Sequence, residues 1–132
     1  MISESEKNKQ IAIKFFEALS SGSEAYLDFY NDDSIIWTAG DNAIGGTRTK
    51  KEIITFAKDI LEAFPNGIEF KITGITAENE RVAVEVQGDA IHISGKPYNN
   101  FYHFLLKIKD GKIIELKEYM DTQLAAKILL DN

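Results

Sequence analysis

The residues best equipped for chemistry lie in YNNFYHFLLKIKDGKIIELKEYMD, from Tyr98 to Asp121. Asp110-Gly111 suits the positive backbone angles of a two-residue hairpin turn between two apolar-rich runs. Counting outward from that turn sets His103 opposite Glu118, Leu105 opposite Leu116 and Phe101 opposite Met120. An imidazole and a carboxylate then adjoin within an apolar wall, a pair suited to acid–base work. Burial raises the carboxyl's pKa and an imidazolium neighbour lowers it, so small changes decide which group carries the proton. A structural ion pair would place the same two residues side by side and perturb the same groups. Asp121, at a strand–helix junction, reads as a helix N-cap rather than as an acid.

These residues need a scaffold, and the chain supplies one. Four strand-like runs (Ile68 to Ala77, Arg81 to Ile93, Tyr98 to Lys109 and Lys112 to Met120) are joined by hairpin-length connections, which predicts an antiparallel meander. Ahead of them the periodicity is helical. Ser3 and Glu6 form a capping-box pair for a first helix with Ile11, Phe15, Ala18 and Leu19 on one face. Ser23 suits the N-cap of a short second helix carrying Leu27 and Tyr30. Ser34 to Thr38 reads as a strand holding the only tryptophan, Trp37, and Ala39 to Gly46 as a loop. Thr49-Lys50-Lys51-Glu52 is a second capping box, opening a helix that turns Ile53, Phe56, Ile60 and Leu61 toward the core. Asp121 caps a closing helix with Leu124, Ile128 and Leu129 on one side. Helices first and an antiparallel sheet after predict one α+β domain over residues 1–132, its helices on one sheet face.

Composition excludes several function classes. With 44% hydrophobic and 27% charged residues in 132, the chain is of the soluble globular type. A net charge of -6 with scattered lysines argues against nucleic acid as a partner. No apolar run approaches the roughly 20 residues of a membrane helix, and the polar start MISESEKNKQ is unlike a secretory signal. The absence of cysteine excludes disulfides and thiolate chemistry and fits a cytoplasmic protein. His92 and His103 lack the spacing of a local metal motif, so no metal or other cofactor is expected.

The third long strand is apolar on both faces: Phe101 and Leu105 on one, Tyr102, Phe104 and Leu106 on the other. An antiparallel strand with one wet face should alternate. A second copy of the chain is the simplest cover, which predicts a homodimer through the outer sheet face.

Three segments follow one another in a telling order: Phe15-Phe16-Glu17-Ala18-Leu19 before a Ser/Gly turn, Trp37 before a Gly-rich loop and helix, and DGKI followed by EYMD. Over nearly the whole chain this order resembles the nuclear-transport-factor-2-like superfamily of ketosteroid isomerases, SnoaL-type polyketide cyclases and limonene epoxide hydrolases. The resemblance implies a cone-like curved antiparallel sheet wrapped around helices and a deep, largely apolar cavity, usually in a dimer. Ketosteroid isomerases use a tyrosine on the first helix, a carboxylate base on the first strand and a protonated aspartic acid in the hairpin. The corresponding positions here are Phe15, Thr38 and His103, so the phenol and the base of that chemistry are missing. Limonene epoxide hydrolases share the Tyr-Asn start and the acidic-Tyr-x-Asp end, and their catalytic aspartate on the last strand corresponds to Glu118. Their arginine and second aspartate fall on Glu85 and Gln87, which leaves that water-activating network incomplete.

Glu85, Gln87 and Asp89 alternate with Val82, Val84 and Val86, the pattern of a strand with polar residues toward water. The resemblance instead turns Gln87 into the cavity beside His103, and the loop from Ser94 to Pro97 leaves both registers open. Trp37 and Tyr30 fit either the walls of a pocket mouth or the core. Gly45-Gly46 lacks the lysine and the spacing of a phosphate loop. The combined expectation is a pocket for a small apolar ligand. Its chemistry would be that of a cofactor-free isomerase, cyclase or hydrolase acting on an apolar oxygenated molecule. Glu118 would be the general base or acid and His103 its partner, with Phe15, Trp37, Gln87, Phe101, Leu116 and Met120 against the substrate. A non-catalytic ligand-binding protein or a dimerisation module with a filled cavity would share the pattern.

Overall fold

The structure, a computed structural model, describes residues 2–130. Helix α1 (Glu4–Ser20) starts where Ser3 accepts a hydrogen bond from the Glu6 amide (3.2 Å). The Glu6 carboxylate meets Gln10 instead of returning to the cap, so half of the expected capping box forms. The face of α1 turned to the core carries Asn8, Ala12, Phe15 and Phe16. Ser23 caps a single stretch of 3-10 helix, Glu24–Phe29, and Tyr30 opens strand β1 (Tyr30–Thr38) rather than belonging to a helix. Strand β2 (Gly46–Thr49) falls where the chain reads as loop and cap, and the full capping box of Thr49 and Glu52 then opens α2 (Lys50–Ala63). Strands β3 (Glu69–Glu78), β4 (Arg81–Ile91), β5 (Pro97–Lys109) and β6 (Lys112–Met120) form the expected meander. Asp121 accepts from the Leu124 amide (3.1 Å) and caps α3 (Thr122–Leu129).

The six strands lie in the order β2-β1-β6-β5-β4-β3, an α+β arrangement with a curved open sheet. Neighbours are antiparallel except β1 and β6, which run parallel. That pairing places Thr38 beside Glu118 although they are far apart in the chain. The inner sheet face meets α1 over a core of Val82, Val84, Val86, Phe104, Leu106, Ile108 and Ile113 with Ala12, Phe15 and Phe16. A second cluster, Phe64, Ala90, Tyr98, Ala125 and Ile128, closes the other end of the sheet.

One feature of the β5–β6 hairpin overturns the expected register. Asp110 and Gly111 adopt the positive φ of a tight turn (52° and 79°), and Lys109 pairs with Lys112 and Ile108 with Ile113. Beyond that point Lys107 pairs with Glu115, so Ile114 is an extra residue in β6, a β-bulge. Side chains alternate with period two, so one inserted residue exchanges the faces of everything beyond it. Glu118 therefore lies opposite Phe104, and His103 opposite Tyr119. The predicted pairing of His103 with Glu118, and of Phe101 with Met120, does not form.

Strand β5 consequently turns Tyr98, Asn100, Tyr102, Phe104, Leu106 and Ile108 inward, all buried, and Phe101, His103 and Leu105 outward. Strand β4 keeps Val82, Val84 and Val86 inside, and Gln87 lies outside, donating to Asp89 (3.2 Å). Of the two registers open for Gln87, the plain alternation is the one observed. Gly88 on the inner face lets a ring pass close: a Cβ there would stand 2.8 Å from Tyr102 Cε1.

Candidate functional site

Between the inner sheet face, the end of α1, the 3-10 helix and α2 lies a chamber of about 210 Å³. A dry cavity of about 150 Å³ accommodates benzene, so this space suits a ligand of one or two rings. Its walls include Phe15, Tyr26, Tyr30, Ile36, Phe56, Ile60, Phe70, Tyr98, Tyr102, Phe104, Leu116 and Met120. The exposed lining residues, Gly22, Ser23 and Glu24 on one side and Ile54, Lys58 and Leu61 of α2 on the other, mark its mouth. Helix α2 turns its apolar face to this space and meets the two core clusters through half-buried Ile53, Ile60 and Ala63, none of its residues being fully buried. Of the residues expected toward the core, Ile53 and Ile60 pack against it, Phe56 lines the chamber and Leu61 is exposed at the mouth.

Inside the mouth the chamber holds one carboxyl group, that of Glu118. Its position is fixed twice. The Ala39 amide donates to the Glu118 carbonyl (2.9 Å), and the Thr38 hydroxyl donates to Glu118 Oε1 (3.1 Å). Oε2 has no protein donor among the described residues, and what accessible surface Glu118 retains belongs to the chamber wall. Burial among apolar groups disfavours the charged form and raises the carboxyl from 4.5 to about 7, against the opposing pull of the Thr38 hydrogen bond and of Arg48. Near neutral pH such a group is divided between acid and base, the condition for giving and taking protons.

Phenols surround it. Burial pushes Tyr30 far above the ordinary tyrosine value, with Tyr26 and Glu118 adding to the effect. Tyr102 is raised well above it by burial first, then by Tyr98 and Glu118. Tyr98 is raised by burial despite hydrogen bonding from neighbours that include Asn100, whose amide donates to the phenol at 3.0 Å. All three stay protonated and can only donate or accept hydrogen bonds. The Tyr30 hydroxyl makes no hydrogen bond to protein among the described residues. Every sealed polar side-chain atom has a partner, so this hydroxyl opens onto the chamber that Tyr30 lines.

Arg48, opposite Ile36 in the β1–β2 pair, stands beside this wall. Its guanidinium donates to the carbonyls of Ile44 (2.7 Å) and Ala43 (3.4 Å) and lies over the Phe56 ring, 4.2 Å from its centre.

Of the residues singled out from the sequence, the structure brings Phe15, Leu116, Met120 and Glu118 together in the chamber wall. It does not bring the others there. Phe101 is 69% exposed on the outer face. His103 is exposed beside Glu85 and Tyr119, and Gln87 is on the same face. Trp37 packs edge-on against Tyr119 on the outer side of the sheet, ring centres 5.3 Å apart. The bulge accounts for His103 and Phe101, and the outward alternation of β1 for Trp37. Tyr102, Tyr98, Thr38 and Arg48 were not foreseen as site residues. The sequence carried no signal for the first two: Ile114 and Leu116 stand two apart as in an unbroken strand, and only the observed pairing turns Ile113 and Leu116 inward together. Among the described residues no three His, Cys, Asp or Glu side chains cluster to hold a metal ion, and no helix is long and apolar enough to cross a membrane.

The pattern that defines SnoaL-like domains matches residues 12–116. No curated protein sequence gives a significant match. Among solved structures, PrhC from Penicillium brasilianum superposes with a TM-score of 0.87 at 20% identity, over 96% of this chain and 87% of that one. A candidate SnoaL-like polyketide cyclase from Jannaschia sp. CCS1 gives 0.79 at 15% identity, over 100% and 97%. A nuclear-transport-factor-2-like protein from Anabaena variabilis gives 0.78 at 24% identity, over 91% and 93%. At these identities the superpositions establish the fold.

Proposed function

The chain belongs to the SnoaL-like domain family, and from that premise we propose that it is a cofactor-free acid–base enzyme for a small, apolar, oxygenated molecule. The observation that carries this reading is the Glu118 carboxyl. It is held by Thr38, has one free oxygen, and is poised at about 7 in an otherwise apolar chamber. In the proposed reaction the carboxylate takes a proton from a carbon next to a substrate carbonyl. The electron pair moves onto the carbonyl oxygen, which accepts a hydrogen bond from the Tyr30 phenol. Where the enolate is conjugated with a carbon–carbon double bond, Glu118 returns the proton to the far end of that system, an isomerisation. Otherwise the enolate carbon attacks a second carbonyl and Glu118 gives its proton to the alkoxide so formed, a cyclisation. Phe15, Leu116 and Met120 hold the apolar body of the substrate. His103, Trp37, Gln87 and Phe101 have no part in this scheme. They belong to the outer face, where exposed Ile35, Phe101 and Tyr119 support a homodimer. The absence of cysteine supports a cytoplasmic setting.

The test uses bicyclic ketones that fit the chamber, with proton exchange at the carbon beside the carbonyl followed by NMR in heavy water. Glu118→Gln should abolish protein-dependent exchange while the ketone still raises the melting temperature. Exchange that survives the substitution removes Glu118 from the chemistry. A wild-type protein that binds such ketones without exchanging them is a binding protein.

A further inference from the structure

We propose that Arg48 is the positioning residue of this site. From a seat built by the Ala43 and Ile44 carbonyls and the face of Phe56, its guanidinium acts through space on Glu118 and fixes the loop and helix that wall the chamber beside it. The inference rests on the reading of Glu118 as the proton-handling group and adds a residue to it.

Three observations converge on Arg48. The first is its seat. A guanidinium presents a planar fork of donors and a flat cationic face. Here the fork meets two loop carbonyls and the face meets an aromatic ring, so the charge is held by contacts an ammonium would not reproduce. The second is what the seat joins. Ile44 and Phe56 both line the chamber, one from the 39–45 segment and one from α2. The same segment is tied to the catalytic strand by the Ala39 amide on the Glu118 carbonyl. Arg48 thus bridges loop and helix at the chamber wall.

The third is its charge. Arg48 makes no ion pair with a carboxylate among the described residues, where the only pairs are Lys107–Glu80 and Lys117–Glu115. Its positive charge is therefore left to act on Glu118, and it pulls the carboxyl down, opposite to burial. Of the other groups facing Glu118, only the Thr38 hydrogen bond pulls the same way, and more strongly, but it brings no charge. Thr38 on β1 is neutral, and the phenols of Tyr30 on β1 and of Tyr98 and Tyr102 on β5 are uncharged donors. Glu24 and Lys58 lie at the mouth, and Asp121 acts on Tyr98 from the end of β6. Arg48 is the one cation that joins the Thr38 hydrogen bond in drawing Glu118 toward its base form.

The experiment reads the Glu118 titration midpoint by ¹³C NMR of the side-chain carboxyl in wild-type protein and in Arg48→Met, Arg48→Gln and Arg48→Lys. Removing an opposite charge should raise the midpoint by about half a pH unit or more in the two neutral variants. Arg48→Lys, which keeps the charge but loses the fork and face of the seat, should fall between wild type and the neutral variants. If a folded neutral variant keeps the wild-type midpoint, or if Arg48→Lys moves as far as Arg48→Met, the through-space role is overturned. Should both neutral variants fail to fold, Phe56→Leu supplies the test. It removes the ring under the guanidinium while leaving the charge on the chain, and an unmoved midpoint there refutes the seat. None of these readouts needs turnover, so they stand apart from the fate of the proposed reaction.

Discussion

A carboxyl held near 7 inside the fold makes the protein less stable at high pH than at low, and Glu118→Gln should expose that cost. Below about 4.5 the group carries its proton in both the folded and the unfolded chain. Between 4.5 and 7 the unfolded chain releases the proton while the folded chain keeps it, so stability falls as pH rises. Above 7 the folded form ionises as well and the loss is complete. A pKa difference of about 2.5, at about 1.36 kcal/mol each, comes to about 3.4 kcal/mol. Glutamine has the same shape, can still accept from Thr38, and carries no charge at any pH. The stability difference between variant and wild type should therefore move in favour of the variant by about 3 kcal/mol between pH 4.5 and pH 8.5. With an unfolding entropy of about 2.1 cal/mol/K per residue, the same amount shifts the melting temperature by roughly 10 °C. Urea denaturation of both proteins across that range reads the quantity directly, because effects of the substitution other than ionisation cancel in the pH dependence. A difference that stays flat with pH, or that turns against the variant as pH rises, would refute the reasoning.

Two further outcomes follow from the packing. Gly88→Ala sets a methyl group 2.8 Å from Tyr102 and should destabilise the protein by about 1–3 kcal/mol, read by urea denaturation. Unchanged stability would mean that the ring has room to give. If the proposed homodimer forms through the outer face, Phe101→Asp should leave the circular dichroism spectrum intact and halve the mass found by light scattering. A wild-type protein of monomer mass would refute the dimer. A dimer that persists at the same concentration would move the interface elsewhere.

Local signals carried much of the fold. Ser3, Ser23, Thr49 with Glu52, and Asp121 all cap where their side-chain chemistry places them, because a cap depends only on residues a few positions away. The Asp110-Gly111 turn and the ends of β6 were equally legible. The parallel pairing of β1 with β6 was not, because nothing local joins Thr38 to Glu118. Glu118 was found through its place on the last strand, but its partners were misread by a single residue. The extra Ile114 exchanges the faces beyond it, which replaces an imidazole with phenols and a threonine hydroxyl around the same carboxyl. Tyr30 was legible only as a residue of either a pocket wall or the core. Its free hydroxyl was not, because hydrogen bonding in a chamber depends on every surrounding element at once.

Everything proposed for this site depends on Glu118 holding its proton up to neutral pH inside an apolar chamber. The most direct measurement is the ¹³C NMR titration of its side-chain carboxyl in the wild-type protein, with the resonance assigned by its loss in Glu118→Gln. Burial in the chamber should set its midpoint near 7. A midpoint at the ordinary glutamate value of about 4.3 would place the carboxyl in water and contradict that burial.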